Sequence, residues 1–175
     1  VLRSLVLILA PATGVAAQGR TGGPMTMDIR IPPSLKVEHE ELHAELVALT
    51  RSPGRVGEAA RNVAALLHPH FVKEEEYALP PLGLLVTVAQ ATVTPAMGPV
   101  LAMTDRLKSE MPQMLAEHRL VVAALEKLAE AGQAEKRPDA ERFAEKLRLH
   151  AETEEQVLYP AAILLGEYVK AQLGK

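Results

Sequence analysis

The chain has 175 residues, 48% of them hydrophobic, with a formal net charge of −3 and no cysteine. That length suits one domain with one substantial core. The lack of Cys excludes disulfides, thiolate zinc sites and iron–sulfur clusters, and the lack of any Lys/Arg block longer than two residues leaves no basic footprint for nucleic acid.

In chain order, residues 1–23 differ in composition from the rest. Arg3 precedes an apolar stretch from Leu5 to Ala10 that continues more weakly to Ala17, and Val15-Ala16-Ala17 offers a small-residue cleavage site. This reads as an export signal, which favours a periplasmic or exported protein. The competing reading is a start at Met25 or Met27, which would leave the protein cytoplasmic. Interrupted by Pro11 and Gly14, the stretch is too short to cross a bilayer as a helix, so no stable membrane span is expected. Residues 24–33 read as a linker, and 34–173 as the folded unit.

Ser34, after Pro32-Pro33, is the expected N-cap of a first helix that runs to about Thr50, with Leu35, Leu42, Leu46 and Leu49 on its apolar side. Ser52-Pro53-Gly54 breaks it. A second helix is expected from about Val56 to Leu79, kinked at Pro69 and stopped by Pro80-Pro81. Residues 82–94 form an apolar connection without a clear pattern. Thr94-Pro95 suggests N-cap and first position of a third helix, bent at Pro99 or Pro112 and ended by Gly132. Pro138-Asp139 opens a fourth, with a bend at Pro160. With only two Phe and no Trp, the core falls to Leu, Val, Ala and Met, including Met97, Met103, Met111 and Met114. The expected fold is all-α: an up-down antiparallel four-helix bundle with kinked helices and a longer connection between the second and third.

A repeat runs through these helices. Glu38-His39 is followed by His70, Glu74, Glu75 and Pro80; Glu117-His118 is followed by His150, Glu154, Glu155 and Pro160. His and Glu four apart share a helix face. His39 lies about 12 residues before its helix ends and His70 about 14 after the next begins, so both sit roughly 20 Å from their shared turn at 1.5 Å per residue. His118 and His150 repeat this depth in the second hairpin. Leu66, Leu67, Phe71, Leu147 and Leu149 flank the repeat, so these helices should bury this side. Buried without partners, ionised Glu74 and Glu154 would each cost several kcal/mol. Two cations would reverse that, with the carboxylates bridging and the imidazoles neutral. The expected metal ligands are therefore His39, His70, Glu74, His118, His150 and Glu154. Such His/carboxylate ligation without thiolate suits two non-haem iron ions first, then manganese or zinc.

The motifs Glu38-His39-Glu-Glu-Leu-His43, His70-Phe-Val-Lys-Glu74-Glu75 and His150-Ala-Glu-Thr-Glu154-Glu155-Gln-Val-Leu-Tyr-Pro160 resemble those of the hemerythrin-like, HHE cation-binding domains, over roughly residues 34–170. The resemblance implies a di-iron centre within a four-helix bundle, two imidazoles per iron, and Glu74 and Glu154 as bridges. Two departures are informative. The oxygen carriers of that family have a second histidine on the third helix, whereas Met114 and Val122 flank His118 by one turn here. Their last carboxylate is Asp five residues after its His, whereas Glu154 follows His150 by four. Reversible oxygen carriage is thereby put in doubt, and more positions are left open for dioxygen, peroxide or nitric oxide.

Other residues read as accessory. His43, one turn after His39, is either a seventh ligand or a residue of the rim, and the latter is favoured. His68 points away from the face of His70. Glu75 and Glu155 read as outer partners or edge charges. Tyr77, at α-helical spacing from His70 and Glu74, either donates a hydrogen bond to a bridging carboxylate or fills space. Three functions are then open: a module that binds O2, NO or peroxide in sensing or in iron and oxygen handling; an oxidoreductase acting on peroxide, NO or ferrous iron with an unknown redox partner; and a structural bundle with a vestigial site. The complete set of donors argues against the third.

Overall fold

The computed structural model describes residues 27–174, so the signal-like segment 1–23 lies outside the described residues. Helix α1 spans Pro33–Thr50 and α2 Gly54–Lys73. A single π turn, Glu74–Ala78, extends α2 and passes into a 3-10 turn at Pro80–Leu84. The connection then holds a short helix, α3, Leu85–Ala89, and a second 3-10 turn, Pro95–Met97. Helix α4 spans Pro99–Glu135, α5 Pro138–Thr153 and α6 Tyr159–Gln172, with a π turn at Glu154–Leu158 joining the last two. The four long rods are α1, α2, α4 and the α5–α6 pair, α4 packing on α2, α5 and α6 and α1 on α2 and α5. This is the expected all-α antiparallel four-helix bundle, and there is no strand among the described residues. No helix among them is long and apolar enough to cross a membrane.

Several element boundaries differ from expectation, each for a local reason. Helix α1 starts at Pro33 with Pro32 before it, and Ser34 lies inside the first turn without capping it; proline at the first positions lacks only an N–H that has no helical partner anyway. The segment after Pro95 makes a 3-10 turn before α4 begins at Pro99. Helix α4 also does not stop at Gly132. It continues to Glu135 and closes through Lys136 in the left-handed conformation (φ 55°), with Arg137 N–H donating to Gly132 O at 2.8 Å and Lys136 N–H to Gln133 O at 3.3 Å. Gly132 serves close packing instead: a Cβ there would meet Arg137 O at 3.0 Å and Ala140 Cβ at 3.2 Å. Glu135 then caps the start of α2, accepting from Arg55 N–H at 2.6 Å and Val56 N–H at 3.3 Å. The two hairpin turns are thereby tied at one end of the bundle.

The π turns are the repeat's proline written into the backbone. Pro80 and Pro160 have no N–H to donate, and a proline ring in an α-helix collides with the carbonyl four residues earlier. Both copies of the repeat respond by admitting an extra residue. Leu79 N–H donates to Glu74 O at 2.9 Å, five residues back, and Tyr159 N–H reaches Glu154 O in the same way. The second helix is therefore not continuous α-helix to Leu79.

Apolar packing lies on both sides of a polar layer. One cluster holds Leu42, Leu46, Leu67, Phe71, Val121, Leu125, Phe143 and Leu147; the other holds Tyr77, Leu79, Leu107, Met114 and Tyr159. Of the residues expected to flank the site, Leu67, Phe71 and Leu147 are buried, whereas Leu66 and Leu149 face solvent, 36% and 58% exposed. Burial on a helix follows its face, and neighbours in sequence lie about 100° apart.

Candidate metal centre

His39, His70, Glu74, His118, His150 and Glu154 all lie in the layer between the two apolar clusters, each no more than 5% exposed. Helix α1 supplies His39, α2 and its π turn His70 and Glu74, α4 His118, and α5 and its π turn His150 and Glu154. The Nε2 atom of every ring faces a carboxylate. His70 Nε2 lies 3.0 Å from Glu74 Oε1 and His150 Nε2 3.2 Å from Glu154 Oε1. His118 Nε2 lies between the two glutamates, 3.7 Å from Glu74 Oε1 and 3.5 Å from Glu154 Oε2. His39 Nε2 is 3.5 Å from Glu154 Oε1 and 4.0 Å from Glu74 Oε2.

The donor atoms form two groups that share Glu154. Within each, all lie no more than 4.8 Å apart: His70, Glu74, His118 and Glu154 in one, His39, His150 and Glu154 in the other. An ion bound at about 2.0–2.2 Å sets opposed donors roughly 4 Å apart, so both groups could close on an ion with small side-chain shifts. The hydrogen bonding of the layer fits the same use. Both ring nitrogens of His39, His150 Nε2, Glu74 Oε2 and Glu154 Oε1 are buried without a hydrogen-bond partner among the described residues, and unsatisfied buried polar atoms of this kind are otherwise rare.

A second ring of carboxylates surrounds the first, and it follows the repeat. Glu117 accepts from His70 Nδ1 at 2.8 Å and Glu38 from His150 Nδ1 at 3.2 Å. Glu155 accepts from His118 Nδ1 at 2.9 Å, and Glu75 faces His39 Nδ1 at 3.5 Å. The residue before His39 and before His118, and the residue after each inner Glu, thus faces a histidine of a neighbouring rod. Glu75 and Glu155 are outer partners of histidines, one of the two roles the sequence offered them. The same role of Glu38 and Glu117 was not foreseen, although the Glu-His dipeptide of the repeat was the available signal. Glu117 is itself held by Lys73 and by Gln113 Nε2 at 2.9 Å. Burial works against its charge, but bonds from His70, Lys73 and Gln113 outweigh it and hold Glu117 at about 2.

Tyr77 does not reach the centre. Its hydroxyl donates to Glu110 Oε2 at 2.8 Å and sits 3.4 Å from Met114 Sδ. It lies within the first π turn, where α-helical spacing no longer selects the face. Tyr159, which sequence reasoning missed, occupies that role. Its hydroxyl donates to Glu74 Oε1 and lies 3.3 Å from His118 Nε2 and 3.5 Å from His70 Nε2. In the repeat it stands where Leu79 stands in the first copy, directly before the proline. Burial and the carboxylates of Glu74 and Glu154 push its phenol far above the ordinary tyrosine range. His43 and His68 are exposed and take no place among the inner donors.

Charge and burial compete throughout the layer. Burial disfavours an imidazolium at His118, yet Glu154 and Glu74 raise it to about 10; at His150 burial is again overruled, by Glu154, Glu74 and Glu38, and the value is about 9. Burial pushes the Glu154 carboxyl up, but His118, His150 and His39 together hold it well below the carboxylate range.

Fold and site together define a four-helix bundle with an internal His/carboxylate cluster able to hold metal ions. The family model of the hemerythrin HHE cation-binding domain matches residues 33–162, and the chain belongs to that family. No curated protein and no solved structure matches it.

Proposed function

We propose that His39, His70, Glu74, His118, His150 and Glu154 are the ligands of two iron ions, and that the protein binds O2, NO or peroxide there in sensing or in iron and oxygen handling. One observation carries this reading: two groups of buried donors share Glu154 and hold five polar atoms without hydrogen-bond partners among the described residues. Manganese and zinc accept the same donors less well matched to this His/carboxylate mixture.

When bound, the ions supply Lewis acidity and redox capacity toward a small ligand. The remaining work falls to the protein's own residues. Glu117, Glu155 and Glu38 accept hydrogen bonds from Nδ1 of His70, His118 and His150, which leaves the Nε2 lone pair of each aimed at the centre. Tyr159 fixes Glu74 on the four-donor side. Phe71, stacked on His39 at 4.3 Å between ring centroids, covers the three-donor side with an apolar wall. The three-donor group has fewer protein donors than its neighbour, so it is the better placed of the two to leave a position for an external ligand.

Metal analysis and visible absorption of protein purified in air test the proposal, repeated after dithionite and after peroxide or NO. Iron near two per chain, with absorption that responds to these ligands, is the expected result. A chain that takes up no metal would overturn it, and steady consumption of peroxide would convert the reading to an oxidoreductase.

A further inference from the structure

The internal repeat places two surface cavities at equivalent positions, and they are furnished differently. The cavity between α1 and α2, about 330 Å3, is lined by His39, Glu40, His43, His68, Phe71 and Glu75. The cavity between α4 and α5, about 310 Å3, is lined by His118, Arg119, Val122, Ala151, Glu152 and Glu155. His39 and Glu75 of the first correspond in the repeat to His118 and Glu155 of the second. Around this shared floor the first has Glu40 and His43 where the second has Arg119 and Val122. His68, two residues before His70, corresponds to Arg148, which is engaged with Glu145 and Glu152.

The floors differ as well. His118 has Nδ1 bound to Glu155 and Nε2 beside the Tyr159 hydroxyl at 3.3 Å. His39 is 2% exposed and neither of its ring nitrogens has a hydrogen-bond partner among the described residues. One of them faces Glu75 of the cavity at 3.5 Å, the other faces Glu154 of the buried centre at 3.5 Å. The ring of His39 is thus the partition between the cavity and the three-donor group.

We infer that the α1–α2 cavity is the route by which a divalent cation reaches the buried centre, His43 and His68 receiving it and Glu75 and His39 passing it inward to Glu154 and His150. The inference rests on the metal-centre reading above. A hydrated cation must exchange its waters for protein donors step by step, and imidazole and carboxylate are donors that suit iron and its neighbours. His43 and His68 offer nitrogen donors at the solvent end, where both side chains are exposed, and the lone Lys36 at the rim lies 3.9 Å from Glu40. The α4–α5 cavity carries carboxylates of its own, but no histidine stands at its mouth.

The test uses metal-free full-length protein and cobalt(II) alone, with uptake followed over time by visible absorption and the final content by metal analysis. Wild type is compared with H43A/H68A and with R119A/E126A, since Arg119 and Glu126 both line the other cavity. The expected result is an uptake rate lowered several-fold in H43A/H68A, because the nitrogen donors that first replace the cation's waters are gone, with unchanged final content and melting temperature. R119A/E126A should load at the wild-type rate. An H43A/H68A rate equal to wild type overturns the route, and so does a lowered final content, which would make these residues permanent ligands. Wild type that takes up no cobalt overturns the metal-centre reading itself, and is told apart because it needs no variant.

Discussion

Nδ1 of His70 lies 2.8 Å from Oε2 of Glu117, on a different rod of the bundle. Because Lys73 and Gln113 hold Glu117 in place, the ring of His70 is aimed by residues that never touch the centre. Removing such an outer partner typically lowers metal affinity by about 10–100-fold. Glu117→Ala should do so, and Glu117→Gln, which keeps an acceptor oxygen, should lose less. Competition against a chelator of known strength measures both, and an affinity equal to wild type in Glu117→Ala would remove the outer ring from the account.

Direct removal of inner donors should have a larger effect. His118→Ala or Glu154→Ala is expected to lower iron content sharply, since Glu154 belongs to both donor groups. His68→Ala should end at wild-type content, because His68 is exposed and outside both groups. Equal iron in all three variants would count decisively against the proposed ligands.

The metal-free protein should lose stability as pH rises. His118 and His150 go from 6.5 to about 10 and about 9 on folding, burial being outweighed by Glu154 and Glu74. A group raised by folding contributes stability in full below its unfolded value, and that contribution disappears as pH climbs through the folded value. The metal-free melting temperature should therefore fall between about pH 6.5 and pH 10. Loaded protein, whose imidazoles coordinate in the neutral form, should lack this fall. A flat metal-free profile would contradict the pairing of imidazolium with carboxylate.

Tyr159→Phe removes the donor to Glu74 and keeps the ring stacked near His118, whose centroid lies 5.7 Å away. A hydrogen bond to a charged group contributes about 1.5–3 kcal/mol. Metal-free Tyr159→Phe should be destabilised by that amount in denaturant unfolding, whereas Tyr77→Phe should leave the centre's metal content unchanged because its hydroxyl serves Glu110.

Where α6 crosses α4, Gly166 admits Thr104. A Cβ at Gly166 would fall 2.1 Å from Thr104 Oγ1 and 2.6 Å from its Cβ. Overpacking of this kind costs about 1–3 kcal/mol, which Gly166→Ala should show as a lowered unfolding midpoint with metal content retained.

Much of the molecule was legible in the residues. Helical periodicity, proline breaks and the scarcity of aromatics point to four rods, and the repeat of Glu-His with His-x3-Glu-Glu places six polar side chains at one depth. These are local properties, because i,i+4 spacing and distance from a turn can be counted along the chain. Tyr159 was not legible, since five residues after Glu154 is off the α-helical face until a π turn shifts the register. The same shift carried Tyr77 away from the position its spacing suggested.

The sequence by itself therefore determined the class of fold and which side chains would gather, through periodicities that do not depend on distant contacts. Only the tertiary structure decided which outer glutamate serves which histidine, that the two donor groups are unequal, and that His43 and His68 line one cavity. Each of those depends on how separate rods are rotated against one another, and that rotation is set by packing across the core, which no single helix encodes.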